Sequence, residues 1–465
     1  MDLKSELEAA LPGILVWRDS SLYSPKLSIA GEMHDMRPEL YASPRTEEEV
    51  VKLVKIVGGR ASLAVLGGGH SFQGLSCDVA ISMKAFNKVE ISGNEVSIGA
   101  GCVNRDVDDF MAEHGIGVTL GNASTVGVVG ALLGGGVGYL ARWIGLSIDL
   151  LLEARVLLAD GSVVVASKDV NSELFWAIRG GGGNFGIVLE VKMRAERFDD
   201  WTGKGVGMVF TSQRILPHSK NCFLWCGNKI GNVNVLTKWR DYALEASNCV
   251  SVDLFLPTGG PIVQQFTYKG PQKDALLEAK KWKQLGKAAP IPFLTKPKSY
   301  HTTIQRDLHE TQIAPIIPAP HNYRVAILKE FPDSLAETLC TMVTKNKPNS
   351  ISIVHCERLG GKILDEPQEG TAFAHRDGQF WISIVGIYSK KGKTPSPEMV
   401  KKVDAWLEKL VAAVRPHALT VSGSGIEPYN VFGENLKRLQ DAKAKYDPTN
   451  IFSAVECGFS GAHSL

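Results

Sequence analysis

Ala64-Val65-Leu66-Gly67-Gly68-Gly69-His70-Ser71-Phe72 decides how this chain is read. An apolar, partly branched run drops into three glycines and then presents one histidine. The run predicts a buried strand. The glycines predict a sharp turn whose backbone can approach a bulky group closely. Successive N–H groups in such a turn form a concavity suited to an anion such as a pyrophosphate. His70 and Ser71 stand at its rim. A tight turn with a histidine making one local hydrogen bond explains the same residues equally well, so the rest of the chain has to decide.

The 465 residues suffice for two or three domains, each with its own core. Hydrophobic residues at 44% and charged residues at 22% describe an ordinary globular protein. Lys+Arg and Asp+Glu number 51 and 49, a net of +2 that leaves no basic field for nucleic acid or an acidic membrane. The N-terminus carries Asp2, Glu6 and Glu8 where a signal peptide needs a basic segment and an apolar one. No apolar run approaches the ~20 residues that span a bilayer, so the expected location is cytoplasmic. None of the 8 cysteines forms a CxxC pair, and no histidine cluster completes a zinc site around Cys222 and Cys226. Buried free thiols are expected.

In chain order, Thr46 followed by Glu49 predicts a capped helix with Val50, Leu53, Val54 and Val57 on its buried face. That helix feeds the strand of the opening stretch. Val79–Met83 and Glu95–Gly99 read as strands, and Val107–His114 as a short helix. A second glycine cluster runs from Thr119 through Gly121, Gly127 and Gly130 to Gly138. Small residues at this density predict backbone packed against a flat or extended object. A third cluster, Arg179-Gly180-Gly181-Gly182-Gly183-Asn184-Phe185-Gly186, contains GxGxxG. It is not a Rossmann fingerprint, because a helical pattern precedes it and the strand Ile187–Met193 follows it. From 201 to 420 glycine thins out. Ile351–His355 and Phe380–Tyr388 read as strands there, interleaved with helices over Asp333–Val343 and Pro397–Val414. This predicts an inserted α+β domain with its own sheet. The tail predicts a helix over Glu434–Tyr446, stopped at Pro448.

Three glycine clusters in this order, followed by Pro428-Tyr429-Asn430-Val431-Phe432-Gly433, resemble the FAD-linked oxidases with a vanillyl-alcohol-oxidase-type (PCMH-type) flavin domain. Within them the berberine-bridge-enzyme-like group is the nearest match. The resemblance covers Tyr41–Val191 and Phe373–Phe452. It implies an α+β chain whose FAD-binding domain is built from 1–200 and 421–465. Residues 201–420 then form an inserted α+β substrate domain on an antiparallel sheet. It also implies that Gly67, Gly68, Gly69, His70 and Ser71 form the pyrophosphate loop, with His70 bonded covalently to the flavin 8-methyl carbon. Ser124, Thr125, Val126, Gly127 and Gly130 correspond to a second FAD-contacting loop, Gly186, Ile187 and Val188 to a third, and Asn430 to a tail residue near the isoalloxazine.

The departures are informative. Ala123 stands where many members carry a cysteine for a second flavin bond, so attachment through His70 only is expected. Phe72 replaces a frequent tyrosine. The Phe373-Ala374-His375-Arg376 lead-in places Ser383 where a Glu or Gln commonly faces substrate, and a serine without a partner is a poor base. Tyr429, beside Asn430, is an alternative catalytic residue. Trp381, Tyr139 and Phe72 are candidate substrate contacts. Val126 falls at the position that gates oxygen, where a small branched residue implies an oxidase. His355 and Glu357 share one strand face and are further candidates for binding substrate, while His375 and Arg376 fit an ion pair or a structural hydrogen bond at a domain junction. The expected activity is hydride removal from a small organic, secondary-metabolite-type substrate, with molecular oxygen as acceptor. The alternatives are a carbohydrate oxidase and a cyclase whose FAD is structural.

Overall fold

Thr46 caps the helix Glu47–Val57 by accepting the Glu49 N–H at 3.3 Å, and Glu49 reaches back to the Arg45 N–H at 2.6 Å. Gly58, at φ +48°, ends the helix in the left-handed conformation that glycine adopts without strain. Val50, Leu53, Val54 and Val57 are buried beneath it, on the face their spacing predicts. The helix leads directly into the strand Leu63–Leu66, which runs parallel to Val79–Ser82. The computed structural model describes residues 2–23, 38–70, 77–197, 202–209, 232–260, 262–283, 289–291, 319–390, 393–422 and 431–452.

Leu63–Leu66 and Val79–Ser82 belong to a small mixed sheet with Leu40–Ala42 and Leu15–Trp17. Beside it lies an antiparallel sheet of Val89–Ser92, Glu95–Gly99, Ile187–Arg194, Leu151–Leu157 and Val163–Ser167. One core joins both sheets, with Leu53, Ile81, Ile98, Val156, Phe185 and Val191 fully or almost fully buried. The third glycine cluster lies between the helix Ser172–Ile178 and the strand Ile187–Arg194. That helix-then-strand order is the reverse of a Rossmann crossover, as the sequence predicts.

A larger antiparallel sheet carries, among the described residues, the strands Ala289–Ile291, Thr202–Val209, Ile262–Lys269, Val250–Pro257, Ile353–Arg358, Phe380–Ile387, His321–Leu328 and Ala418–Ser422, in that spatial order. Strand alternation gives it two chemically different faces. Val252, Leu254, Val354, Cys356, Phe380, Ile382 and Ile384 form a second core with Trp239, Leu339 and Leu407 of the covering helices Asn232–Glu245, Asp333–Thr344 and Pro397–Val414. On the opposite face, register aligns Gln265, Asp253, Glu357, Trp381, Ile327 and Thr420 in one row. The next row aligns Val263, Phe255, His355, Ser383 and Val325. Ile327 and Trp381 pack against the first core, so this second face is turned toward the glycine-rich half of the chain.

Segment 359–376, within the stretch expected to serve substrate, packs onto the first core through Leu359, Ile363, Ala372 and Phe373. Arg376 anchors it with a buried bidentate pair to Asp149, the junction ion pair the sequence expects. Some bounds move. The helix expected from Val107 begins at Asn104, because the Asn104 N–H is held by the Val126 carbonyl at 2.9 Å. The strand expected from Ile351 begins at Ile353, because the Asn349 carboxamide oxygen accepts the Ile351 and Ser352 N–H groups in a local turn. A 3₁₀ turn, Gly433–Asn435, precedes the tail helix Leu436–Tyr446. Among the described residues, no helix is long and apolar enough to cross a membrane.

Candidate active site

The first two glycine clusters meet backbone to backbone. A Cβ on Gly68 would lie 2.3 Å from the Gly127 nitrogen, and one on Gly127 would lie 2.4 Å from the Gly68 nitrogen. Both positions therefore exclude any side chain. Similarly, a Cβ on Gly138 would lie 1.9 Å from the Leu120 carbonyl oxygen. Much of the glycine density thus serves loop-on-loop packing, a cause that sequence reading assigned to an extended ligand. Gly68→Ala should destabilise the fold by about 1–3 kcal/mol through overpacking and lower FAD occupancy. Thermal unfolding and the absorbance ratio of flavin to protein check both effects.

The second loop is clamped from below. Asn104 donates its side-chain N–H groups to the Gly121 and Ala123 carbonyls at 3.1 and 2.9 Å, and the Val128 N–H reaches the Cys102 carbonyl at 3.0 Å. The clamp presents Thr125 to the first loop, where its Oγ1 and His70 Nε2 share a hydrogen bond of 2.9 Å. Gly69, at φ +72°, makes the turn that places His70 there. Ser124 is buried and its carbonyl accepts the Arg105 N–H. A Cβ on Gly130 or Gly183 would meet nothing within 4 Å, so open space borders the second and third clusters. In the third cluster, the Gly180 and Gly182 N–H groups both bond the Leu133 carbonyl at 3.0 Å, and Ile187 and Val188 are buried in the sheet behind it. The buried Lys443 ammonium ties the tail helix to this cluster by donating to the Asn184 carbonyl and the Asp447 carboxylate. A side-chain-free cradle with a histidine at its rim fits a flavin dinucleotide.

The large sheet supplies the opposite wall. Asp253, His355 and Glu357 place one ligand-type atom each within 4.8 Å of one another. His355 Nε2 lies 3.0 Å from Asp253 Oδ1, and the His355 ring stacks on Phe255 at 4.3 Å between centroids. Glu357 accepts a hydrogen bond from the Asn122 side chain, at 3.3 Å, so it touches the loop that carries Thr125. Burial, reinforced by the nearby Asp253 charge, pushes the Glu357 carboxyl up to about 8. Burial lowers the His355 pKa below its ordinary value, against the pull of Glu357. Gln265 Nε2 and Thr267 Oγ1, further along the same face, are buried and find no hydrogen-bond partner among the described residues.

Of the expected site residues, Ser71, Phe72, Tyr429 and Asn430 lie outside the described residues. Tyr139 is buried beside the second cluster. Trp381 donates its indole N–H to Ser383 Oγ at 2.8 Å, and Ser383 sits directly across from His355. Asp253 is the site residue that sequence reading missed. It sits in Val250-Ser251-Val252-Asp253-Leu254-Phe255-Leu256, where an acid at the centre of an apolar strand was an available signal. The described cysteines are free, and burial pushes Cys102 up to about 11 and Cys340 up to about 12, so neither is a ready nucleophile.

Comparison with known proteins agrees with this geometry. Residues 38–167 match the family model described as FAD binding domain, and residues 426–455 match that described as berberine and berberine like. The FAD-linked oxidoreductase pgmH of Aspergillus terreus is 30% identical over 443 residues, covering 88% of this chain and 85% of its own. Berberine-bridge-enzyme-like protein 1 of Physcomitrella patens superposes with a TM-score of 0.82 at 20% identity, over 98% of this chain and 99% of its own. The glucooligosaccharide oxidase of Acremonium strictum, described with a 6-S-cysteinyl, 8α-N1-histidyl FAD, superposes with a TM-score of 0.80 at 21% identity, over 98% and 99% of the two chains. The loop geometry, the two family matches and the full-length relative together place the chain: it belongs to the berberine-bridge-enzyme-like FAD-linked oxidoreductases.

Proposed function

We propose that this enzyme is an oxidase whose FAD is bonded through His70 alone, that it removes hydride from a small organic secondary-metabolite-type substrate, and that it passes the electrons to molecular oxygen. Residues 1–200 and 421–465 hold the cofactor in this reading, and 201–420 supply the substrate wall. The observation that carries it is the 2.9 Å hydrogen bond between His70 Nε2 and Thr125 Oγ1. With Nε2 engaged, the ring is oriented for attachment through Nδ1, and Gly67, Gly68 and Gly69 leave the approach open for a pyrophosphate. Ala123 offers no thiol, which supports a single bond where the Acremonium oxidase has two.

When bound, the flavin supplies the hydride acceptor. The chain's own residues hold it, exclude water and shape the substrate space. Ser71, Thr125, Val126, Gly127, Gly130 and Asn430 belong to the holding set, with Ser124 supporting its loop. Gly186, Ile187 and Val188 back that set. Trp381, Tyr139 and Phe72 are assigned to the substrate space, together with Ser383, whose hydroxyl is set by the Trp381 indole. Tyr429 remains a candidate at the tail. Val126, at the position where the family gates oxygen, supports oxygen as acceptor.

Denatured, precipitated wild-type protein should stay yellow, and His70→Ala should give a colourless pellet. A white wild-type pellet would refute the covalent link. Enzyme reduced without air should regain its oxidised spectrum within seconds of aeration; slow recovery would mark a dehydrogenase. A carbohydrate substrate is the second reading, favoured by Gln265 Nε2 and Thr267 Oγ1 on the substrate wall, which find no hydrogen-bond partner among the described residues. Turnover without transient bleaching of the flavin would instead support a structural FAD in a cyclase.

A further inference from the structure

We propose that His355, positioned by Asp253, is the base that takes the proton of a substrate hydroxyl while the adjacent carbon gives up hydride, with Glu357 serving as a hydrogen-bonding partner of that hydroxyl. The inference rests on the oxidase reading and names the substrate group that the sheet is built to meet. Asp253 is completely buried and His355 keeps 14% of its side-chain surface open. The 3.0 Å contact to Asp253 Oδ1 places the ring proton on Nε2, since a carboxylate only accepts. The basic lone pair is then on Nδ1. Phe255, stacked on the ring at 4.3 Å and 14°, restricts its rotation. A buried carboxylate that fixes an imidazole's tautomer and orientation is the arrangement that makes histidine an effective base in hydrolytic triads.

The groups around the ring favour a hydroxyl over an amine. From the neighbouring strands it meets Asp253 and Phe255 on one side and Ser383 on the other, and Glu357 shares its own strand face. The Asp253 carboxylate is committed to Nε2. Glu357 is held protonated at neutral pH by burial, so it offers both a donor and an acceptor, which suits a neutral hydroxyl. Among the described residues here, an ammonium group would find no carboxylate that is both ionised and uncommitted. The depressed His355 pKa keeps the imidazole in its proton-accepting form.

In the balanced step, the hydroxyl proton moves to His355 Nδ1, and the O–H electron pair becomes the second C–O bond. The C–H hydrogen leaves as hydride to the flavin, so an alcohol is oxidised to a carbonyl by two electrons. Oxygen then takes up those electrons, that hydrogen and the imidazolium proton as hydrogen peroxide. Ser383, at the place where the family commonly carries an acid, thus lies directly across from the group that does this work.

The test uses holoenzyme with ¹⁵N-labelled histidine rings. The His355 resonances, identified by their absence in His355→Gln, should report a neutral Nε2–H tautomer at pH 7, and Asp253→Asn should convert it to a mixture. A wild-type Nδ1–H tautomer, or a tautomer unmoved by Asp253→Asn, overturns the proposal. Independently, flavin bleaching without air is followed with 4-hydroxybenzyl alcohol, cinnamyl alcohol and cellobiose, and with 4-hydroxybenzylamine as the nitrogen counterpart. His355→Gln should slow bleaching by about 10²–10³-fold and Asp253→Asn by about 10–100-fold, with FAD content unchanged in both. Wild-type rates in His355→Gln, or bleaching by the amine alone, overturn the base assignment and leave the oxidase reading standing. A wild-type flavin that no probe bleaches counts against the oxidase reading, while the tautomer measurement still decides the Asp253–His355 pairing.

Discussion

Arg376→Met is expected to lower the unfolding free energy by about 3–5 kcal/mol, the range for removing one member of a buried ion pair. The Arg376 side chain is 2% exposed and its guanidinium reaches Asp149 at 2.7 and 3.1 Å through two separate nitrogens. The same group donates to the Ile363 carbonyl and to Thr371 Oγ1. Methionine fills much of the volume but leaves the Ile363 carbonyl and Thr371 Oγ1 without their donor and the Asp149 carboxylate without its bidentate partner. Asp149 also accepts the Leu146 N–H at 2.9 Å, which holds it in place. The large effect comes from that stranded charge more than from the attraction lost. Asp149→Leu in the Arg376→Met background should therefore recover part of the loss. Urea denaturation of the two single variants and the double variant measures this. A single-variant loss under about 1 kcal/mol would show that water reaches the pair and that segment 359–376 is held by its apolar contacts alone.

The second large effect is a dependence of stability on pH that Glu357→Gln removes. The folded protein holds the Glu357 proton up to about 8, whereas an unfolded carboxyl releases it near the reference value of 4.5. Between those values the unfolded state binds fewer protons than the native state, so stability falls as pH rises. Below 4.5 both states are protonated and the term vanishes; above 8 it is fully expressed and flat. The interval, at 1.36 kcal/mol per pH unit, bounds the loss at about 4–5 kcal/mol. The Asn122 hydrogen bond favours the ionised form and is already part of that balance. Gln keeps the shape and cannot ionise. The variant should be more stable than wild type at pH 8, and the two curves should converge near pH 5. His355, whose pKa is lowered, contributes with the opposite sign, stability rising as pH passes through 6.5 from below. The difference between the wild-type and Glu357→Gln curves reports the carboxyl together with its coupling to His355. Parallel curves would place the Glu357 pKa in the ordinary range and remove the neutral partner from the proposed site.

The legible parts of the sequence were those in which neighbours along the chain do the work. The Thr46 and Glu49 side chains cap a helix by accepting backbone N–H groups three and four residues away, and Leu63–Leu66 followed by three glycines is a strand and a turn wherever it sits. The order of the glycine clusters carried the flavin domain, because each is a local backbone event. Two further signals were present and only partly readable. His355 and Glu357 share a strand face by alternation alone, but nothing local says what that face meets. Glycine density in the second cluster was read as room for a ligand, while Gly68, Gly127 and Gly138 turn out to make room for other backbone.

Sequence alone therefore determined the family and its FAD-binding domain, and it pointed to the glycine turn and His70 that we propose hold the cofactor. The pairing that sets the chemistry was decided by tertiary structure. Asp253 and His355 lie 102 residues apart, and Asn122 and Glu357 lie 235 apart. Which acid meets which histidine depends on strand order and register across the large sheet. Which carboxyl keeps its proton depends on how completely the two halves of the molecule exclude water. Both are set by non-local contacts, so neither is written in any single stretch of the chain.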